Sequence, residues 1–156
     1  MQELKETFIR NAATLPADFA AVLRAGAANI LQPALGRSGG IWETKKIAVM
    51  CELFNAQIAP HIYCGPVAHA AAMHVGFSSP AFLILETIHS DFHTAVLQRP
   101  LSWEEGFMVA PTEPGLGIEL NDAVVAAHPY TTGGRLHLEM SQTPLSSDNR
   151  LTVNDL

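Results

Sequence analysis

Polar residues close three short apolar runs of this chain, and their types are those that move protons or hold polar substrates. Gln32 lies in ANILQP, His61 ends AQIAPH, and Glu86 ends AFLILE. Histidine titrates near neutral pH and can act as a general acid or base, while a carboxylate beside it can orient it or contact a substrate oxygen. The sequence therefore predicts an acid/base pair of His61 and Glu86; the alternative is that His61 is a satisfied structural residue.

The apolar runs alternate with helical patterns along the first part of the chain. Short apolar strands separated by helices are typical of a parallel sheet buried on both faces. With a further strand expected in ETFIR, the chain would hold about four strand–helix units, which predicts an α/β fold. Polar residues that end neighbouring strands are then expected to face one crevice. The predicted helices are Ala17–Gly26, Val67–Val75 and Ile41–Asn55, the last with Ile47, Met50, Cys51 and Phe54 on one face.

The texture of the sequence changes after about residue 96. LSWEEGFMVAPTEPGLGIEL combines Pro, Gly and acidic residues with short β-like pieces, and predicts an arm that packs on something outside the repeated units. The polar end, SQTPLSSDNRLTVNDL, is expected to fray. We therefore predict a partial barrel of strand–helix units in residues 1–96 and a C-terminal arm and tail in residues 97–156.

The composition and charge of the chain limit the kinds of partner that it is expected to bind. Hydrophobic residues make up 48% and charged residues 15%, and because the usual charged fraction is about 25%, we expect a large interface with a second copy or another chain. A net charge of −6 without clustered Lys and Arg argues against nucleic acid. No apolar run reaches the roughly 20 residues that span a bilayer, and MQELKETFIRN lacks an apolar signal core. These features predict a cytoplasmic protein with reduced cysteines and no membrane partner.

A second cluster of candidate ligands follows the third apolar run. His89 and His93 are four residues apart, which on a helix places both on one face, as zinc ligands require, with Glu86 nearby. The alternative is a polar loop over the crevice. His69 and His74 fall within a predicted helix and are interpreted as a packed and a surface histidine.

A glycine-rich turn, GRSGG, precedes the predicted helix Ile41–Asn55. Backbone N–H groups at such a turn can bind a phosphate or carboxylate, although the same glycines also serve a plain tight turn. Gly39 in this turn and the strand-end Gln32 are therefore candidate substrate-binding residues. PGLGIEL does not match the dinucleotide-binding fingerprint, so a Rossmann cofactor site is not expected.

Four motifs stand in one order: QPALGRSGGI, APHIYCGP, FLILE and PTEPGLGIE. This set, within a stretch from about Ala17 to Met140, resembles the C-terminal half of the mandelate racemase/muconate lactonizing enzyme group of the enolase superfamily. Within that group it is most similar to the sugar-acid dehydratases. The resemblance implies that the chain is the C-terminal part of a TIM-like barrel with its C-terminal arm, preceded in the family by a capping domain.

The resemblance also implies a chemistry. In this family the proton α to a carboxylate is abstracted, and Mg²⁺ stabilises the enediolate. His61, at the end of the seventh barrel strand, would be the general acid/base. Glu86, at the end of the eighth, would hydrogen-bond the carboxylate or enediolate of a small carboxylate or acid-sugar substrate.

Three departures from the family pattern leave two readings open. Ala34 replaces the carboxylate that usually pairs with the histidine, which leaves the tautomer of His61 less fixed. Asn11 stands where a Mg²⁺-binding Glu is expected, and the capping domain and first four barrel strands are missing. The chain is either part of a Mg²⁺-dependent dehydratase that needs a complementing N-terminal half, or a non-catalytic half-barrel that self-associates. The second reading is favoured for the isolated chain; a racemase or cycloisomerase lineage is a further alternative.

Overall fold

The computed structural model describes residues 8–10, 15–88 and 90–129. The chain forms a compact unit that runs to Val125, and residues 126–129 belong to a second unit. Within the described part, no helix has the length and apolar character needed to cross a membrane. The strands are β1 (Phe8–Arg10), β2 (Ile30–Gln32), β3 (Gln57–Ile58), β4 (Trp103–Glu104) and β5 (Phe107–Met108). The helices are α1 (Pro16–Arg24), α2 (Leu35–Ser38), α3 (Gly40–Leu53), α4 (Pro66–Phe77), α5 (Asp91–Ala95) and α6 (Asp122–Ala127).

Strands β1, β2 and β3 form a parallel sheet in chain order. A fourth segment extends it, because the Ile58 N–H donates to the Ala81 carbonyl at 2.8 Å and the Leu83 N–H donates to the Ile58 carbonyl at 2.9 Å. This pairing places Phe82 beside Ile58 in a parallel bridge. Helices separate the successive strand positions, which confirms the predicted α/β fold and its fourfold repeat of strands.

The helices cover one face of the sheet. Leu31 and Ile58 are register partners, and both are completely buried in a core formed with α1, α3 and α4. Burying a side chain of this size contributes about 1.5–3 kcal/mol, so this face holds the sheet and the helices together. Other members of the core are Phe19, Leu23, Ile47, Ala48, Cys51, Ala72 and Val75.

The predicted helices are confirmed, but the buried face of α3 differs from the prediction at its end. Thr44, Ile47, Ala48 and Cys51 are buried there. Phe54, predicted to share that face, is the C-cap residue and is 47% exposed. The helical spacing has already ended at this residue, so its side chain no longer follows the buried stripe.

Helix α1 ends as its sequence predicts. Gly26 has φ +59°, a conformation that glycine adopts without strain. Its N–H donates to the Leu23 carbonyl at 3.0 Å, and the Ala27 N–H donates to the Val22 carbonyl at 3.1 Å. These two bonds form a Schellman motif that satisfies the last carbonyls of the helix and turns the chain toward β2.

The segment after residue 96 contacts helix α4. His69 Nε2 lies 3.1 Å from Met108 Sδ, and His74 Nε2 lies 3.1 Å from the Leu116 carbonyl oxygen. The expectation that the arm packs on something outside the repeated units is therefore wrong for these residues, which contact α4 itself. His69 is packed as predicted, whereas His74 is a half-buried anchor for the arm rather than a plain surface histidine. The predicted division of the chain at residue 96 stays a prediction.

A tight turn holds the arm in this position. The Gly117 N–H donates to the Pro114 carbonyl at 3.2 Å, and both Gly115 and Gly117 have positive φ angles. A Cβ added at Gly117 would lie 2.3 Å from Pro111 Cβ, whereas one added at Gly115 would meet nothing within 4 Å. Leu116, between the two glycines, packs against the core.

Replacing Gly117 with Ala is expected to destabilise the chain more than the matched replacement Gly115→Ala. Both variants place an alanine at a positive φ angle, but only Gly117→Ala drives a methyl group into Pro111. We expect its free energy of unfolding to fall by about 1–3 kcal/mol more than that of Gly115→Ala, measured by urea unfolding. Equal losses in the two variants would show that Pro111 and Gly117 are not packed as described.

His69 is expected to make the stability of the fold sensitive to acid. Burial, with a smaller contribution from the charge of His93, lowers the pKa of His69 from 6.5. The unfolded chain therefore binds a proton at His69 more readily than the folded chain, so stability is full above pH 6.5 and falls as the pH drops.

The comparison of His69→Gln with the wild-type chain tests this dependence. The free energy of unfolding of the wild type should decline more steeply below pH 6.5 than that of His69→Gln. His128→Gln, a change at an exposed histidine, serves as the control and should keep the wild-type slope. Identical slopes in the wild type and His69→Gln would contradict the prediction.

Candidate active site at the strand ends

His61 lies just beyond β3, where the hydrogen-bond ladder continues past the assigned strands. The His61 N–H donates to the Pro33 carbonyl at 3.0 Å, and the side chain of His61 is buried. Because side chains alternate along a strand, His61 points away from the face that carries Ile58 and Ile62. The histidine therefore occupies the sheet face opposite the helices.

Glu86 reaches His61 from the neighbouring segment. Glu86 Oε2 lies 2.9 Å from His61 Nδ1 and accepts a hydrogen bond from the Ile62 N–H at 3.1 Å. The direction of the ring N–H does not meet hydrogen-bond geometry, so Nδ1 has no hydrogen-bond partner within the described residues, and the contact is one of ion-pair distance. The two residues that the sequence predicts to meet at neighbouring strand ends are therefore in contact.

A one-residue bulge places Glu86 on the face of His61. The Leu83 N–H donates to the Ile58 carbonyl. In a regular ladder the Leu85 N–H would then donate to the Pro60 carbonyl. Instead, the Glu86 N–H donates to that carbonyl, at 3.4 Å. Leu85 turns back to the core, while Ile84 is 61% exposed. Without the extra residue, Glu86 would share the helix-covered face with Phe82, so the bulge re-aims its side chain.

Pro60 favours the bulge at this point. In a regular parallel ladder, residue 60 would donate its N–H to the Leu83 carbonyl, but proline has no N–H to donate. The extra residue therefore costs no hydrogen bond on that strand. Sequence reasoning missed this feature, and its signal was the proline that precedes the histidine in APHIYCGP.

On the other side of His61, the neighbouring strand places Ala34, whose side chain is a methyl group. The register pairs Leu31 with Ile58, and the His61 N–H bond to Pro33 extends the same register to Ala34 and His61. Ala34 is the N-cap residue of α2, and it offers no side-chain acceptor to the imidazole. Of the two strand neighbours of His61, only the one that carries Glu86 presents a carboxylate.

The structure gives the two candidate substrate-binding residues different settings. Gln32 is the last residue of β2 and is partly buried, in the sheet beside the segment that leads to His61. Gly39 joins α2 to α3 at φ +98°, and its N–H donates to the Leu35 carbonyl. That N–H is therefore engaged within the fold, and a substrate-binding role for Gly39, as for Gln32, stays a prediction.

The candidate metal ligands are not assembled within the described residues. Asn11 and His89 lie outside those residues, and His93 bonds through Nδ1 to the Ile88 carbonyl at 3.3 Å. Residues 15–88 and 90–129 hold no group of three His, Cys, Asp or Glu side chains that could bind a metal. Mg²⁺ prefers several oxygen ligands, usually carboxylates, and Glu86 alone does not supply such a set.

The cysteines take no part in this site. Cys51 and Cys64 are free thiols, as predicted, with Cys51 buried and Cys64 exposed. Burial, with a contribution from Glu52, raises the pKa of Cys51 to about 12. A thiol with so high a pKa stays protonated near neutral pH and is a poor nucleophile.

Comparison with known proteins places this chain in one family. The family model described as enolase C-terminal domain-like matches residues 10–124. D-galactonate dehydratase from Ralstonia pickettii (strain 12J) is 39% identical over 116 residues, which are 69% of this chain and 30% of that protein. The chain therefore spans about a third of the length of this relative.

Two solved structures similar in fold have higher identity to this chain. The mandelate racemase/muconate lactonizing enzyme from Jannaschia sp. CCS1 is 50% identical with a TM-score of 0.77, and covers 85% of this chain and 34% of its own. The mandelate racemase/muconate lactonizing enzyme from Sulfitobacter sp. is 54% identical with a TM-score of 0.76, and covers 89% and 34%. The chain belongs to the enolase C-terminal domain-like family, as its motifs predict.

Proposed function

We propose that this chain supplies the acid/base half of an acid-sugar dehydratase site, with His61 as the residue that moves the proton. The observation that carries the proposal is the contact of His61 with Glu86 at adjoining strand ends. A buried imidazole beside a carboxylate is suited to take a proton from the carbon next to a substrate carboxylate. The relative from Ralstonia pickettii favours dehydration over racemisation.

The proposed reaction is a β-elimination from a polyhydroxy acid. His61 removes the proton from the carbon next to the carboxylate, the C–O bond of the following carbon breaks, and the leaving hydroxyl group departs as water with the proton that His61 took up. The resulting enol rearranges to a 2-keto-3-deoxy acid, so the reaction needs no oxidant or reductant. The described residues do not hold Mg²⁺, so ligands for this ion would come from the complementing half.

The exposed apolar residues of the fourth segment support the need for a second body. Leu83 and Ile84 are exposed on this segment, and Phe107 of the neighbouring hairpin is 76% exposed. They lie along an apolar groove of about 340 Å³, beside the last strand position of the sheet. An uncovered sheet edge with apolar side chains favours association with another strand-bearing surface. For this reason, we do not expect turnover by the isolated chain.

Proton exchange in D₂O tests the role of His61. The full chain is mixed with the part of the Ralstonia pickettii enzyme that precedes its matched segment, and D-galactonate is added. We expect loss of the α-proton signal and formation of the keto acid in the mixture, and neither with the chain alone. The measurement is ¹H NMR of the substrate over time.

Two variants make the exchange experiment decisive. His61→Asn should slow exchange by about 10²–10⁴-fold, the usual contribution of a positioned acid or base. His128→Asn, a change at an exposed histidine, should leave the rate unchanged. Exchange at the wild-type rate in His61→Asn, or none in a mixture whose two chains copurify, would contradict the proposal.

The alternative function, a non-catalytic half-barrel that self-associates, is favoured by the same uncovered edge. Ile84→Lys should then lower the mass of the full chain in solution, because it places a charge on the exposed segment. Val49→Lys makes the same change on the exposed side of α3 and should leave the mass unchanged. The measurement is light scattering after size-exclusion chromatography, and a monomeric wild-type chain would rule out self-association.

A further inference from the structure

Glu86 is engaged by two groups of the protein on the same oxygen. Oε2 accepts the Ile62 N–H at 3.1 Å and lies 2.9 Å from His61 Nδ1. Only part of the Glu86 side chain is exposed, and the backbone N–H of Glu86 is tied to the Pro60 carbonyl. Glu86 is therefore held both through its backbone N–H and through its carboxylate, in a position that faces the imidazole.

This arrangement fits a partner of the histidine. A carboxylate beside the imidazole stabilises a proton held on the facing nitrogen of His61. When that proton is on Nδ1, the opposite nitrogen, Nε2, carries the lone pair and can accept a proton from a substrate. The tautomer of His61 thus decides which ring nitrogen exchanges the proton.

The neighbouring strand on the opposite side of His61 does not supply a side-chain acceptor to the imidazole. Ala34, its register neighbour on the other side, has no oxygen in its side chain. Tyr63 contacts the ring edge-on with centroids 6.1 Å apart. Among the described residues, Glu86 supplies the carboxylate within reach of Nδ1.

We propose that Glu86 is a positioning residue, which holds His61 in the Nδ1–H tautomer and leaves Nε2 to exchange the proton with the substrate. The bulge at Ile84 and Leu85 is the structural device that makes this possible, since it moves Glu86 from the core face to the face of His61. This inference deepens the proposed function, and rests on it for the identity of the reacting residue.

The imidazole nitrogens of His61 report the tautomer directly. In the full chain labelled with ¹⁵N-histidine, the shifts of His61 should show the Nδ1–H form in the wild type. In Glu86→Ala they should move toward the Nε2–H form, which free histidine prefers. Amide exchange at Ile62 should become about tenfold faster or more in the same variant, because a hydrogen bond to a charged group is lost.

A second carboxylate separates positioning from a general structural effect. Adding Ala34→Asp to Glu86→Ala returns a carboxylate to the other flank of His61, and should restore the Nδ1–H signals without restoring slow exchange at Ile62. Glu113→Ala, a change at an exposed carboxylate of the arm, should leave the His61 signals as in the wild type. Circular dichroism checks that each variant is folded.

Three results would overturn the inference. The first is a wild-type tautomer in a folded Glu86→Ala chain, and the second is a failure of Ala34→Asp to restore the signals. The third is an Nε2–H form in the wild type itself. The readout needs no substrate, metal or second chain, so it can fail while the exchange experiment succeeds, or succeed while that experiment fails.

Discussion

The burial of Leu31 and Ile58 against the helices is the constraint from which the rest of the structure follows. These two side chains are register partners at the centre of the sheet, and neither is exposed. Because side chains alternate along a strand, fixing Ile58 toward the helices fixes His61, three residues later, on the opposite face. The position of the proposed acid/base residue is thus set by an apolar contact that it does not share.

The same constraint explains the irregular fourth segment. Phe82 pairs with Ile58 and faces the helices, where its ring lies against Gly76 of α4 so closely that a Cβ there would come within 3.0 Å of it. Leu85 returns to the core three residues later, which strict alternation does not allow. The bulge satisfies both apolar residues, and its by-product is that Glu86 emerges beside His61. Core packing and site geometry therefore have one cause in this segment.

The sequence predicted the order of the elements and the meeting of the two polar residues. Short apolar runs and helical spacing are local signals, and parallel strands bring their carboxyl ends to one edge, so the contact of His61 with Glu86 could be foreseen. The bulge could not, because FLIL contains four apolar residues in a row and alternation does not reveal which of Ile84 and Leu85 faces the core. Docking of Met108 and Leu116 on α4 is a long-range contact that leaves no periodic signal.

The consecutive order of the strands has a consequence for how the chain opens. Each strand of the sheet pairs with the one before and the one after it in sequence, as the modules of a repeat protein do. Within the described residues, β1 and the fourth segment are hydrogen-bonded on one side, whereas β2 and β3 are bonded on both, so local opening proceeds by loss of a marginal strand rather than of the whole sheet at once. Since His61 and Glu86 belong to the last two strand positions, loss of the fourth segment would separate them while β1, β2 and β3 stayed paired. The contact of His61 with Glu86 is therefore expected to open more readily than the pairing in the middle of the sheet.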